Sequence, residues 1–208
     1  MPNWCTTNMR VTGPQEEVIR FTSGFTAGGK FLESYLPCPT ELRDTVSGSF
    51  TDEAKAAELK LQSDANQAKY GYPNWYEWQL DVWGAKWGDC DTVHDEDVLN
   101  QDGSYSSLWT FQTPWGPATQ GWKTISAMFP TLVFQFSHDE EAGFFEGYEV
   151  IQNNEIIFEK MYAPTDYAGE IDDENEESYN KYIDWKLDQM DIIDAELIEF
   201  YKERAKVS

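Results

Sequence analysis

The sequence predicts an α+β fold: a mainly antiparallel sheet with helices packed on one face, followed by a C-terminal acidic helix. Two observations carry this prediction. From residue 108 to 161 the expected order of elements is strand, helix, strand, strand, strand, and the first 36 residues are expected to form strand, helix, strand. Consecutive strands joined by short turns pair antiparallel, and amphipathic helices between them cover one face of the sheet.

The N-terminal region supplies the first three predicted elements. Alternating apolar residues over Asn3–Gly13 indicate a strand that ends at a Gly-Pro break. Acidic residues after Pro14 favour the start of a helix, which is expected to end at Gly28-Gly29. Phe31–Leu36 is predicted as a second strand, because a proline-rich segment follows it.

An aromatic hub at Tyr70–Asp89 follows a predicted, largely solvent-exposed helix over Asp52–Lys69. The hub holds four of the nine tryptophans: Trp75, Trp78, Trp83 and Trp87. A buried aromatic side chain removes ~150–250 Å² from water, so we expect a short helix from Pro73 that forms the centre of the main core. A stacking surface for a base or a sugar is the alternative. That alternative needs cations, and only Lys86 is close in the sequence.

The second half of the chain shows strand patterns separated by turn signals. Strands are predicted at Lys86–Asp91, Leu108–Gln112, Thr131–His138, Phe144–Gln152 and Glu155–Met161, and a helix at Ala118–Phe129. The acidic run Asp95–Asp97 is expected to form a turn. Asn153-Asn154, between the last two strands, is a typical hairpin turn.

The C-terminal tail differs in composition from the rest of the chain. Pro164–Ser178 is rich in Asp and Glu and poor in apolar residues, so it is predicted to be a loop or flexible linker. Tyr179–Lys206 is predicted to form a long amphipathic helix. Its apolar stripe consists of Tyr179, Tyr182, Ile183, Leu187, Met190, Ile193, Leu197 and Tyr201.

The charge of the chain is strongly negative and unevenly distributed. The formal net charge is -23 over 208 residues. Residues 139–208 contain 21 Asp and Glu against six Lys and Arg, and therefore carry -15 of that total. Such a surface is repelled by nucleic acid and by anionic membranes and is attracted to basic proteins. An acidic surface that serves solubility alone is the alternative interpretation.

Cysteine usage and hydropathy indicate a cytoplasmic protein. Cys5, Cys38 and Cys90 show no CxxC spacing, which argues against a zinc site or a redox pair. An odd number of cysteines fits a reducing compartment. The first residues lack the basic and apolar regions of a signal peptide, and no apolar run reaches the ~20 residues of a membrane span.

Four segments together resemble one protein family. They are MPNWCTTN (Met1–Asn8), NWYEWQLDVWGAKWGD (Asn74–Asp89), FQTPWGP (Phe111–Pro117) and EEAGFFEG (Glu140–Gly147). In this order they are similar to the Api92-like family of phages and conjugative plasmids, which has a ferredoxin-like domain in its C-terminal part. The chain departs from the family pattern in having WGAKW for WGTKW and FQTPWGP for a TAW-type run. The resemblance covers roughly residues 1–165. It implies a fold and a mobile-element setting, but no catalytic residues.

With this resemblance, three regions are expected. Residues 1–100 form an N-terminal α+β lobe with the Trp-rich hub. Residues 101–165 form a ferredoxin-like lobe, and residues 166–208 form the acidic linker and the C-terminal amphipathic helix.

Two groups of residues are candidates for catalysis. The run His138-Asp139-Glu140-Glu141, with Glu146 and Glu149 nearby, could hold Mg²⁺ or Mn²⁺ in a metal-dependent hydrolase or nuclease. Against this, three consecutive acidic residues point in different directions. Cys5 could act as a nucleophile with a histidine, although a buried structural thiol beside Trp4 is favoured. No phosphate-binding glycine motif is present in the sequence.

The distribution of charge gives the main functional prediction. The predicted partner-binding residues are Asp184, Asp188, Asp191, Glu196, Glu199 and Glu203, which recur along one side of the C-terminal helix. We expect a non-enzymatic accessory protein, without a cofactor or metal, that binds a basic host protein in its nucleic-acid-binding groove. An anti-CRISPR or anti-restriction inhibitor that mimics nucleic acid is the specific form of this expectation. A structural or assembly adaptor is a further alternative.

Overall fold

The computed structural model describes residues 2–25, 29–172 and 174–206. Within these residues six strands form one antiparallel sheet in the order β2–β3–β1–β4–β5–β6. The strands are β1 (Trp4–Gly13), β2 (Cys90–Leu99), β3 (Tyr105–Pro114), β4 (Val133–Glu140), β5 (Glu146–Gln152) and β6 (Glu155–Tyr162). The helices are α1 (Gln15–Ser23), α2 (Phe31–Tyr35), α3 (Thr40–Arg43), α4 (Glu53–Tyr70), α5 (Trp75–Val82), α6 (Thr119–Met128) and α7 (Glu176–Ala205). A 3₁₀ turn lies at Pro164–Asp166.

The predicted α+β class and the order of elements from β3 to β6 are confirmed. Asn153 and Asn154 both have positive φ, of 48° and 68°, as a tight hairpin turn between β5 and β6 requires. Strand β1 lies between β3 and β4. Strands from both sides of residue 100 therefore share one sheet, while the division into three regions stays a prediction.

Side-chain alternation gives the sheet two different faces. On the first face Met9 of β1, Phe111 of β3, and Phe134 and Phe136 of β4 are buried under the helices. Trp122 of α6 lies at the centre of this core. Its ring centroid is 5.2 to 6.3 Å from those of Phe31, Phe111, Phe134 and Phe136.

The aromatic hub is at the margin of this core. Trp83 is buried and donates a hydrogen bond from Nε1 to the carbonyl oxygen of Leu36 (2.9 Å). Trp75 and Trp78 are partly buried against the core, and Trp87 lies at the end of the sheet with other tryptophans. The prediction that the hub packs into the main core is confirmed for Trp83, Trp75 and Trp78. The centre of that core is nevertheless Trp122 of α6 and not the hub.

Three elements differ from the sequence predictions. The strand predicted at Lys86–Asp91 begins only at Cys90, as the start of β2. Phe31–Tyr35 is a helix rather than a strand, because the buried carboxylate of Asp89 accepts hydrogen bonds from the amides of Phe31 (2.7 Å) and Leu32 (2.8 Å). The acidic run Asp95–Asp97, predicted as a turn, lies inside β2. This strand is at the sheet edge and its acidic side chains are exposed, so no apolar alternation marks it.

Helix ends differ more modestly from the prediction. Helix α1 ends at Ser23, before the expected Gly28-Gly29, and Gly28 lies outside the described residues. Helix α7 begins at Glu176, inside the predicted linker. Among the described residues, no helix is both long enough and apolar enough to cross a membrane.

Candidate functional site

Helix α7 carries the predicted partner-binding residues, and local signals explain its start and end. The side chain of Asn175 accepts hydrogen bonds from the amides of Glu177 (3.1 Å) and Ser178 (3.2 Å), which caps the N-terminus. Glu176 and Glu177 in the first turn, and Lys202 and Arg204 in the last turn, complement the helix dipole. A 30-residue amphipathic helix is the result.

The apolar side of α7 packs on the second face of the sheet, opposite the main core. Tyr182, Ile193 and Leu197 are buried there. Polar contacts fix the register of the helix on the strands. Lys160 of β6 pairs with Glu196 (3.0 Å), Lys186 pairs with Glu146 of β5 (2.8 Å), and Tyr201 donates to Oε1 of Gln135 of β4 (2.9 Å). Burial raises the pKa of Tyr201 to about 12, so its hydroxyl keeps this proton at neutral pH.

The predicted acidic residues fall into two groups in the folded chain. Asp184, Asp188 and Asp191 are exposed, and no described residue forms an ion pair or a hydrogen bond with their side chains. At 3.6 residues per turn they span about 60° of the helix, on the side opposite Ile193. We call these three residues the aspartate strip.

The other predicted residues have basic neighbours. Glu196 is held by Lys160, and Glu199 lies 3.5 Å from Lys202. Glu203 is exposed in the last turn, whose other charged side chains are basic. The negative potential of α7 is therefore least compensated at the aspartate strip.

Exposed apolar side chains flank the aspartate strip, a feature the sequence did not predict. Leu187, Ile192 and Ile198 are 60%, 52% and 55% exposed. Leu187 belongs to the predicted apolar stripe, but the structure leaves it exposed. By helical geometry Leu187 and Ile198 lie on one side of the strip and Ile192 on the other. Carboxylates beside large exposed apolar residues are typical of a surface that binds another protein.

A groove adjoins α7 where the helix leaves the second face of the sheet open. It has a volume of ≈ 660 Å³ and is lined by Arg10, Gln135, Leu197, Ile198 and Tyr201, among others. Within the described part of the chain, the guanidinium of Arg10 forms no ion pair. This side of α7 is thus less suited to a basic partner than the aspartate strip is.

The predicted metal ligands do not converge. His138 and Glu140 are buried on the first face of the sheet, whereas Asp139, between them, is exposed on the second face. Glu146 is opposite Asp139 on β5 and pairs with Lys186. In the described ranges no group of three or more His, Cys, Asp and Glu residues has the geometry to hold a metal ion.

His138 instead belongs to a buried polar cluster. Its Nδ1 is 3.0 Å from Oγ1 of Thr7, and its Nε2 is 3.6 Å from Oε2 of Glu149, which is too long for a hydrogen bond. Oε2 of Glu149 accepts a hydrogen bond from Thr119 (3.0 Å). Oε2 of Glu140 accepts hydrogen bonds from the amides of Ala142 and Phe144 (3.0 Å each) and so shapes the β4–β5 turn. Nε2 of His138 and the Oε1 atoms of Glu140 and Glu149 have no hydrogen-bond partner among the described residues.

Cys5 joins this cluster through Thr7, with 3.8 Å between Sγ of Cys5 and Oγ1 of Thr7. Its side chain is fully buried, and burial raises the pKa of the thiol to about 11. Because the thiolate is the nucleophile, about 0.1% of this thiol would be reactive at pH 8. The arrangement favours a structural cysteine.

Thiol labelling tests this assignment. With Ellman's reagent at pH 8 we expect Cys90, which is less deeply buried than Cys5 and Cys38, to react first in the native protein. Cys5 and Cys38 should react only after denaturation, since both are buried and the pKa of each is raised to about 11, mainly by burial. Cys90→Ala should remove the fast phase. Rapid labelling of Cys5 in the native Cys38→Ala/Cys90→Ala variant would contradict a structural role.

Comparison with known proteins shows a similarity over part of the chain. Residues 85–181 match the sequence model described as the ferredoxin-like domain in Api92-like protein. A solved structure, described as the crystal structure of a protein api92 from Yersinia pseudotuberculosis, aligns with 78% of this chain and 99% of its own. The sequence identity is 9% and the TM-score is 0.47. No curated protein sequence matches the chain.

Proposed function

We propose that this chain, whose residues 85–181 match the ferredoxin-like domain in Api92-like protein, has a non-enzymatic role in binding a basic protein. The proposed binding surface is the outer side of α7. In its specific form, the proposal is an accessory protein of a phage or other mobile element that acts in the host cytosol. It would inhibit a nucleic-acid-handling defence protein, such as a CRISPR effector or a restriction enzyme, by occupying its nucleic-acid groove.

The observation that carries this proposal is the uncompensated aspartate strip with its apolar flanks. Asp184, Asp188 and Asp191 are exposed and unpaired among the described residues, while Leu187 and Ile192 expose more than half of their side-chain surface beside them. From Asp184 to Asp191 the helix rises by seven steps of 1.5 Å, so the three carboxylates are about 5 Å apart on average along its axis, against about 3.4 Å between phosphates along one DNA strand. The charge spacing of the aspartate strip is therefore similar to that of a short run of phosphates, which the strip could replace in a basic groove.

The rest of the molecule supports a partner of positive charge. The edge strand β2 exposes Asp91, Asp95, Glu96 and Asp97, and the whole chain carries a net charge of -23. Long-range attraction to a basic groove speeds encounter, and apolar contacts beside the charges slow dissociation. A protein partner can use both the charges and the apolar contacts, whereas a free cation can use only the charges.

A capture and competition experiment tests the proposal. The tagged full-length protein is used to isolate partners from a bacterial lysate, and the captured protein is then titrated with duplex DNA and with structured RNA. Nucleic acid should displace it from the acidic protein, because both occupy one groove, and the complex should weaken as salt rises. A partner that binds nucleic acid and this protein simultaneously would contradict mimicry and would favour an adaptor role.

A further inference from the structure

An aromatic cluster lies at the end of the sheet where β1 begins and β3 ends. It consists of Trp4, Tyr76, Trp87 and Trp115. The rings of Trp87 and Trp115 are nearly parallel, with centroids 6.3 Å apart and an interplanar angle of 24°. The ring of Trp4 is 6.4 Å from that of Trp87. Three segments that are distant in the sequence, the start of β1, the aromatic hub and the end of β3, thus place indole and phenol rings together.

The ammonium group of Lys86 lies over three rings of the aromatic cluster. Its Nζ is 4.7 Å from the centroid of Trp87, 5.1 Å from that of Trp115 and 5.8 Å from that of Tyr76. No carboxylate of the described residues pairs with it, although acidic residues outnumber basic ones 38 to 15 in this chain. The negative faces of the rings therefore provide the contacts of this cation.

Trp115 is exposed and has an unfavourable backbone conformation. Its side chain is 48% exposed, and its φ of 64° lies in the left-handed region, which bulky residues avoid. The neighbouring backbone fixes this conformation. The amide of Trp115 donates to the carbonyl oxygen of Asn3 (2.8 Å), and Thr113 donates to that of Gly116 (2.8 Å). Backbone strain of this kind is concentrated at functional sites. At Trp115 the strained conformation leaves the indole ring exposed to solvent.

The charges around the aromatic cluster favour a cationic ligand. Asp91, at the start of β2, is exposed, and so is Glu141, whose amide donates to the carbonyl oxygen of Trp4 (2.9 Å). Asp139 is exposed on β4, opposite Thr6. Two basic residues lie near these acidic ones: Lys30 is half-buried 3.9 Å from Cys90, and Lys186 pairs with Glu146, which is opposite Asp139 on β5. A phosphate-bearing ligand would meet more negative than positive charge at this end of the sheet.

We propose that the aromatic cluster binds an arginine side chain of a basic protein partner, and that Lys86 occupies this position in the free protein. The inference rests on the proposed function for its partner class. A planar guanidinium stacks on an indole face better than an ammonium does and loses less hydration. An incoming arginine stacks on the exposed face of Trp115 and displaces Lys86 toward solvent. The aromatic cluster is therefore a second contact for the partner, separate from the aspartate strip.

The experiment uses a hexa-arginine peptide as the probe and full-length protein with ¹⁵N-labelled tryptophan. The spectrum of Trp115→Ala identifies the Trp115 indole resonance by its absence. On addition of the peptide we expect the indole resonances of Trp87 and Trp115 to shift, while that of the buried Trp122 stays unchanged. Trp115→Ala should weaken peptide binding about three- to tenfold, the size of one partly desolvated cation–π contact.

Charge-matched variants distinguish binding at the aromatic cluster from general electrostatic attraction. Lys86→Gln should strengthen peptide binding by more than Lys123→Gln does, because both remove one positive charge but only the first vacates the rings. Phe50→Ala, which removes an exposed aromatic residue elsewhere, should bind as the wild type does. Thermal melts confirm that each variant is folded.

The outcomes distinguish this inference from the proposed function. Shifts of Trp87 and Trp115 that persist when Asp184, Asp188 and Asp191 are all changed to Asn support the aromatic cluster even where the aspartate strip proves irrelevant. Unchanged affinity of Trp115→Ala, with no shift of its indole resonance in the wild type, overturns the inference whatever the aspartate variant shows. Equal effects of Lys86→Gln and Lys123→Gln overturn the role of Lys86.

Discussion

Trp122→Ala is expected to destabilise the protein by about 3–5 kcal/mol, the usual cost of truncating a fully buried aromatic side chain. Trp122 is 1% exposed and packs among Phe31, Phe111, Phe134 and Phe136. These rings belong to α2, β3 and β4, so the cavity is lined by several elements and cannot close by moving one of them. Urea unfolding, with the slope held equal between variants, measures the change.

Trp115→Ala is the matched control for this prediction. It removes the same side chain from a position that is 48% exposed and has positive φ. Its cost should be within about 1 kcal/mol of zero, since little buried surface is lost and the cost of positive φ, which comes from the Cβ, is the same for Trp and Ala. Equal destabilisation by the two substitutions would show that Trp122 is not the centre of the core.

Changing Asp184, Asp188 and Asp191 together to Asn is expected to weaken partner binding more than tenfold at low salt. The three charges lie within one Debye length of each other, and their loss removes most of the uncompensated potential of α7. The loss of affinity should shrink as salt rises, because screening weakens the wild-type complex as well. The fold should survive, since Ile193, Leu197 and Tyr201 still anchor the helix.

A charge-matched variant distinguishes the strip from net charge. Changing Glu16, Glu53 and Glu58 to Gln also removes three exposed charges, from α1 and α4. Its affinity for the partner should fall by far less, and mainly through the association rate. Equal losses in the two triple variants would indicate a non-specific effect of charge. Unchanged affinity in both triple variants would show that the outer side of α7 is an ordinary solvated surface and does not bind the partner.

The candidate site was predictable in part. Helical spacing alone placed Asp184, Asp188 and Asp191 on one side of α7, and the structure has them exposed there. The pairing of Glu196 was not predictable, because its partner Lys160 comes from β6. The same limit applies to Leu187, whose exposure depends on where α7 sits on the sheet. Its place in the apolar stripe gave no sign of this.

Local patterns by themselves determined the class of fold, most of the helices and the order of elements along the chain from β3 to β6. Periodicity, caps and turn residues act within a few residues, so the sequence displays them directly. The hairpin at Asn153-Asn154 and the helix α6 are examples. The uneven distribution of acidic residues is likewise a property of the sequence alone.

Only the tertiary structure decided which local preferences prevailed and which residues meet. Phe31–Tyr35 has the composition of a strand, but hydrogen bonds to Asp89, almost 60 residues away, make it a helix. The centre of the core is Trp122 rather than the Trp-rich hub, because the ring of Trp122 packs against aromatic side chains of both β3 and β4. The contact between Lys86 and the ring of Trp115 likewise forms only in the folded chain. Contacts between distant segments carry no local signature, since each partner's sequence is compatible with many neighbours until the sheet fixes them.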